Sequence, residues 1–396
     1  MSEDIHKVSM EQDNIMQLVE LFKNDTRTDK INLAIGIYVD ESGDCPILTS
    51  VKEAEKYCCD IEKSKAKFNL IGDNNYHKVV KELLFPDFSK REKEDIQVIQ
   101  TVGSSGALYI AGQLINKIAP NSKIWISNPT WENHKFLLYD DLSKVCEYRY
   151  EPFNKQRLCI EKIIEDLNSA RKGDFILFHV CCHNPTGMDP SMEQWKQLSR
   201  FCKEKGLIPI FDFAYQGFKE NLKKDANVFN IFKKDKNNFI VCNSFSKNMG
   251  LYDERIGALT FVFDDKTQSH HWIEIAKKII RSTYSVPPIH GSSIVNCIIN
   301  DTQRFKVWER ELSIMRREVE NRRTEFFKAL EEMGIKQNIL SYENQSGMFV
   351  CLNLSLAQIE NLRKNYGIYI LNSGRISIAS LNAKKISRLC NALCNI

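Results

Sequence analysis

No run of apolar residues in this chain approaches the length of a membrane span, so a helical membrane protein is not expected. The opening residues, Met1-Ser2-Glu3-Asp4-Ile5, carry neither the apolar stretch of a secretory signal nor the Arg-rich amphipathic pattern of a mitochondrial presequence, and a cytoplasmic location is the expectation. Charge of one sign is also scarce. The 55 basic residues are nearly matched by 51 acidic ones, leaving +4. Clusters such as Lys233-Lys234-Asp235-Lys236 are interrupted by acids, so neither a nucleic-acid partner nor a membrane surface is expected. Internal repeats and long low-complexity linkers are absent. Cysteine is not scarce, at 13 residues, but its spacing is not that of a secreted disulfide framework, and reduced thiols are expected. Metal ligands are the last shortage. In His179-Val180-Cys181-Cys182-His183, residues 179, 181 and 183 would share one face of a strand, yet no fourth ligand stands at a recognised spacing. No metal is expected.

The 396 residues are enough for one large domain and a smaller one. The middle of the chain alternates apolar strands with amphipathic helices. Strands are expected at 123–127, 175–180, 207–213, 239–245 and 258–263, and helices at 105–118 and 192–205. This alternation predicts an α/β fold: a large domain with a mostly parallel sheet covered by helices on both faces. A long helical pattern at 302–333 follows. Residues 14–45 and 314–396 are expected to form a smaller α/β domain, with 46–313 as the large domain and 1–13 as an N-terminal arm. The N-terminal segment reads as a helix through Ile15, Leu18, Val19 and Phe22, then an extended run at 31–38.

The most informative stretch is Ser244-Phe245-Ser246-Lys247-Asn248-Met249-Gly250-Leu251-Tyr252-Asp253-Glu254-Arg255. A lysine just past a strand, flanked by hydroxyls and followed by an arginine, suits an amine that attacks an aldehyde beside a bound phosphate. The amine needs a partly desolvated, cationic setting to shed its proton, and the phosphate needs hydroxyls and a guanidinium. Open α/β sheets place their sites outside the carboxyl ends of the strands. There the chain has Asp212 and Tyr215, Asn184-Pro185-Thr186-Gly187, and Trp131 after Asn128-Pro129-Thr130. Gly103-Ser104-Ser105-Gly106 opens a helix whose free N–H groups suit an anion.

His183-Asn184-Pro185-Thr186-Gly187, Asp212-Phe213-Ala214-Tyr215-Gln216-Gly217-Phe218 and Ser244-Phe245-Ser246-Lys247-Asn248-Met249-Gly250-Leu251-Tyr252, in that order, resemble the fold-type I, pyridoxal-phosphate-dependent aminotransferases of class I, and most of all their aspartate-specific branch. The likeness runs from Asn32 to Ile376. It implies pyridoxal 5′-phosphate as cofactor, held covalently by Lys247, with Asp212 paired to the ring nitrogen. Tyr215 and Asn184 would bond the ring's phenolic oxygen, and Trp131 would stack on its face. Ser104, Ser105, Ser244 and Arg255 would hold the phosphate, with Ser246 beside them, and His134 would support Asp212. Arg375 would take the substrate α-carboxylate, Gly36 would let backbone approach substrate, and Trp131 and Asn184 would also touch it. Arg281 would reach the partner subunit's site and clamp a distal carboxylate, making the protein a homodimer with shared sites.

The implied reaction is ping-pong transamination of L-aspartate with 2-oxoglutarate, giving oxaloacetate and L-glutamate. An aromatic or broad-specificity enzyme is the alternative, and a non-catalytic scaffold on the same fold is another class of reading. Two departures stand out. The family's phosphate-binding tyrosine is missing near Lys67-Phe68-Asn69, with Tyr76 several residues away, and Val286 replaces a common asparagine.

Overall fold

The computed structural model describes residues 14–139, 141–153, 157–339 and 345–396. The N-terminal arm expected at 1–13 lies outside them. The chain divides into two compact units: one of Met1–Asp44, Val319–Ser341 and Met348–Ile396, the other of Cys45–Glu318 and Tyr342–Gly347. Among the described residues no helix is long and apolar enough to cross a membrane.

The larger unit is built on seven strands: β1 (Gln97–Val102), β2 (Ile124–Asn128), β3 (Val145–Arg149), β4 (Phe175–His179), β5 (Ile208–Phe213), β6 (Phe239–Ser244) and β7 (Ile256–Val262). Their order across the sheet is β1-β7-β6-β5-β4-β2-β3. β7 runs antiparallel to both neighbours, and the other pairings are parallel. The expected α/β fold with a mostly parallel sheet is therefore present. β4, β6 and β7 are buried at every position, as strands covered on both faces must be. Alternation along each strand divides the core. Ile210, Ile240 and Leu259 pack with Leu108, Ile115 and Ile280 of the helices Gly103–Ile118 and Lys266–Thr283. On the other side Phe211 meets Phe232 at 4.9 Å and Phe229 at 5.4 Å between ring centroids. Each such fully buried side chain contributes about 1.5–3 kcal/mol.

Two strands escape the sequence pattern. β1 interrupts its apolar run with Gln100 and Thr101, and β3 is an edge strand carrying Glu147 and Arg149. The buried polar groups of β1 are satisfied inside the fold: Gln100 donates to the Pro288 carbonyl at 2.6 Å and Thr101 to that of Gly103 at 2.9 Å.

Local signals set the helices between strands. Met192–Lys205 opens on a Ser191/Gln194 capping box and stops at Gly206, whose φ of 68° is left-handed. The long helix Thr302–Glu332 matches the expected 302–333 closely.

In the smaller unit, helix Asn14–Asn24 lays Leu18 and Phe22 on Tyr369 and Leu371. Ile31–Asn32 pairs in parallel with Ile368–Tyr369, and Phe349–Cys351 pairs antiparallel with Arg375–Ser377. The extended run expected at 31–38 forms a strand only over its first two residues. Beyond them the backbone changes partner: Leu33 donates to Tyr369 and accepts from Ser377, and Val39 donates to Ala379. A continuous ladder cannot form against partners that alternate in this way.

Candidate active site

Six strands point the same way, so the ends of β1, β2, β4, β5 and β6 and the start of β7 share one rim. The parallel register sets Asp212 of β5 directly across from His179 of β4. Asp212 is a strand residue, not a helix cap.

A chain of hydrogen bonds starts from that pairing. The Asn184 N–H donates to His179 Nδ1 at 3.4 Å, which leaves the His179 proton on Nε2. Nε2 lies 3.1 Å from Thr130 Oγ1, so the hydroxyl accepts there. Its own proton is then directed to His134 Nδ1, at 2.8 Å. His134 Nε2–H in turn donates to Asp212 Oδ2 at 3.1 Å. Each donor and acceptor in the sequence has one consistent role, which fixes both imidazole tautomers. Burial pushes the Asp212 carboxyl up, but the His134 hydrogen bond, with the electrostatic influence of His134, His179 and Lys247, outweighs it and holds it below the usual carboxylate range. Burial and the neighbouring His134 drive His179 down to about 3.

The other oxygen, Asp212 Oδ1, is buried and has no partner among the described residues. A buried carboxylate oxygen left open in this way is matched by a protonated ring nitrogen.

Lys247 follows β6, with Nζ 5.4 Å from the centre of the Tyr215 ring. Trp131 stands edge-on to His134 at 5.3 Å. Asn184 is buried in a turn held by Asp189, whose two oxygens accept from the Cys182 and His183 N–H groups, both at 2.9 Å. Lys219 pairs with the same carboxylate at 3.2 Å.

A second cluster lies at the β1 and β6 ends. Helix Gly103–Ile118 begins after Val102 with no side-chain cap, so the N–H groups near Ser104 and Ser105 are open to an anion. Ser244 Oγ donates to Ser246 Oγ at 2.9 Å, and Arg255 Nη1 donates to Ser246 Oγ at 3.2 Å and to the Tyr252 carbonyl at 2.9 Å. Arg255 holds a φ of 50°, which costs a non-glycine residue on the order of 1 kcal/mol or more. The Gly103 N–H donates to its carbonyl at 3.0 Å and fixes that geometry. Gly103 must be glycine: its φ is 68°, and a Cβ would sit 2.5 Å from Arg255 Nη2. Open helix N–H groups, serine hydroxyls and a guanidinium form a donor set suited to phosphate.

Gly36 and Arg375 belong to the other unit. Arg375 is buried, donates to the Ala34 carbonyl and lies 4.3 Å from the centre of the Phe349 ring, which also lies against Gly36. Arg281 belongs to the larger unit. It is exposed in the last turn of helix Lys266–Thr283 and donates to Ser285.

The sequence matches the profile of the family "Aminotransferase class I and II" over residues 28–393. The chain belongs to the class I and II aminotransferases. It is 39% identical over 382 residues to an aspartate aminotransferase of Escherichia coli (strain K12), covering 96% of each chain. It is 34% identical over 385 residues to an aromatic-amino-acid aminotransferase of Pseudomonas aeruginosa, covering 97% of this chain and 96% of that one. A crystal structure of the aromatic-amino-acid aminotransferase from Burkholderia pseudomallei, covalently bound to pyridoxal phosphate, superposes with a TM-score of 0.88 at 32% identity, covering 97% of this chain and 96% of that one.

Two parts of this aminotransferase site differ from the sequence reading or go beyond it. Residues 179, 181 and 183 do not share a strand face, because β4 ends at His179. Cys181 turns to the Tyr215 carbonyl at 3.6 Å, while His183 bonds Ser127 and Thr186 and stacks on Tyr150. Thr130 and His179 join the Asp212 network without having been singled out for it. Their signal was faint: a threonine four residues before a histidine, and a second histidine closing a strand. Tyr76 is fully buried, with its hydroxyl on the Gly257 carbonyl at 2.7 Å. It is committed inside this chain.

Proposed function

We propose that this chain is a pyridoxal 5′-phosphate enzyme that transaminates L-aspartate with 2-oxoglutarate, yielding oxaloacetate and L-glutamate by a ping-pong cycle. The observation that carries the cofactor assignment is the open, buried Oδ1 of Asp212, on a carboxylate kept ionised by His134.

When bound, pyridoxal 5′-phosphate supplies an aldehyde for the amino group and a protonated ring that withdraws electrons from the substrate α-carbon. Asp212 holds the proton on the ring nitrogen. The Thr130–His134 pair keeps the carboxylate oriented. Ser104, Ser105, Ser244, Ser246 and Arg255 would hold the phosphate, Trp131 would cover the ring, and Tyr215 and Asn184 would donate to its phenolic oxygen. Lys247 Nζ would hold the cofactor's aldehyde, and its amine, when free, would act as general base and acid toward the substrate α-proton. Arg375 orients the α-carboxylate beside Gly36.

The preference for a dicarboxylate rests on Arg281, as an exposed guanidinium offered to a partner subunit's site. Identity to the Escherichia coli aspartate enzyme supports it. A homodimer follows from that role, and Phe68, 88% exposed in the single chain, also fits a covered surface. None of the 13 cysteines forms a disulfide bond, which suits a reducing compartment such as the cytoplasm. A broader aromatic specificity is the second reading, favoured by the aromatic relatives and by Val286.

The deciding experiment is an absorption spectrum of the cofactor-loaded protein. Aspartate should shift the band and 2-oxoglutarate should restore it. A shift with phenylalanine alone would replace the aspartate assignment with the aromatic one, and indifference to every amino acid would refute transamination.

A further inference from the structure

A pocket of about 400 Å³ opens on the larger unit, away from the rim. Its walls carry Lys306, Arg310, Arg316 and Arg317 against a single acid, Glu309. Three of these cations, Lys306, Arg310 and Arg317, make no ion pair or hydrogen bond with any described residue. Nearby cations are matched: Arg304 with Asp301, Lys223 with Asp87, and Lys224 with Glu220. Lys306 and Arg310 are four apart on one helix, where like charges repel. An anion between them would relieve that repulsion.

The floor is apolar. Leu222 and Leu312, both buried, line it. Asn221 and Ser313 add polar groups; the Asn221 side-chain oxygen Oδ1 accepts from the Lys224 N–H at 2.8 Å, while its side-chain Nδ2 has no partner among the described residues. The volume exceeds what a lone phosphate fills and falls within the range of small-ligand sites.

We propose that this pocket binds a small organic molecule carrying at least two anionic groups, carboxylate or phosphate, on a short apolar body, and that its occupancy is felt at the rim. The connection is direct. Leu312 and Leu222 pack on Gly217, two residues past Tyr215. Arg316, in the pocket wall, donates to the Gly217 carbonyl at 2.9 Å. One turn or two earlier on the same helix, Trp308 donates to the carbonyl of Asn248, the residue after Lys247, at 2.7 Å. Asn248 returns a bond to the Gln216 carbonyl at 3.3 Å. A ligand that shifts this helix face moves the backbone on which both Tyr215 and Lys247 sit. Binding stands apart from the catalytic reading; only the spectral arm of the test rests on it.

The test is calorimetry on the full-length, cofactor-loaded protein, at constant ionic strength, with citrate and with inorganic triphosphate as probes. Saturable binding of either is expected, weakened about tenfold for each guanidinium removed in Arg310→Ala and Arg317→Ala. Citrate binding alone would assign a polycarboxylate ligand, and triphosphate binding alone a phosphorylated one. In wild type the bound probe should also shift the pH midpoint of the cofactor absorption, and the double variant should lose that shift while keeping its unliganded spectrum. Absence of saturable binding by both probes would overturn the proposal. So would binding that survives Arg310→Ala/Arg317→Ala but disappears in Arg375→Ala, since it would belong to the catalytic site. Binding without the spectral shift would overturn the coupling.

Discussion

Acidification should destabilise this protein through two buried histidines. His179 and His183 are both buried, and burial together with neighbouring imidazoles depresses them, His179 to about 3 and His183 well below its ordinary 6.5. The unfolded chain takes up protons on these rings as pH falls through about 6.5, while the folded chain does not. Stability is therefore complete above that value and is lost as pH drops toward the folded-state value. At pH 5 each ring favours the unfolded chain by about 2 kcal/mol, so the pair removes about 4 kcal/mol relative to pH 8. His77, lowered mainly by burial, adds in the same direction. Urea unfolding of the cofactor-loaded protein at fixed protein concentration, at pH 8, 7, 6 and 5, measures this. Replacing His179 by Gln should flatten the slope between pH 6 and 5 by about 1.2 kcal/mol per pH unit. Stability that is constant from pH 7 to 5, or a slope untouched by His179→Gln, would refute the assignment of these rings as neutral.

Asp212→Asn keeps the shape but removes the charge facing the open side of the site. A single-turnover assay with aspartate should show at least about a hundredfold loss, in line with breaking a buried ion pair. Arg281→Ala and Lys247→Ala protomers, each inactive, should regain part of the activity when mixed and allowed to exchange; no recovery after proven exchange would sink the shared-site reading. Gly257→Ala would place a Cβ 2.4 Å from the Asn243 carbonyl and 2.6 Å from the Gly103 carbonyl carbon. Both are backbone, so a loss of about 2 kcal/mol or more is expected in thermal unfolding, together with weaker phosphate retention measured by equilibrium dialysis of the cofactor.

The strands that were legible in the sequence are those buried on both faces. Phe239 to Ser244 reads as apolar because both faces of the sheet are covered. β1 hides because Gln100 and Thr101 find partners that only the folded chain provides. The same division runs through the site. Lys247, Asp212 and Asn184 sit in short contiguous motifs and can be picked out from residue order. Thr130 and His179 act only through register: β5 must lie beside β4 before His179 faces Asp212. The zinc-like spacing of 179, 181 and 183 assumed a strand that continues. The turn held by Asp189 and Lys219, with Cys182 at a φ of 54°, ends it.

The pairing of Ile31–Asn32 with Ile368–Tyr369 has a consequence for the order of assembly during synthesis. All seven strands of the large sheet emerge from the ribosome before the partner of this early segment is made. The larger unit can therefore fold as the chain grows, while Leu18, Phe22 and Ile31 wait with their apolar faces uncovered. Those residues are the part of the nascent chain that a chaperone would have to shield longest, and the final stretch of translation is what releases them.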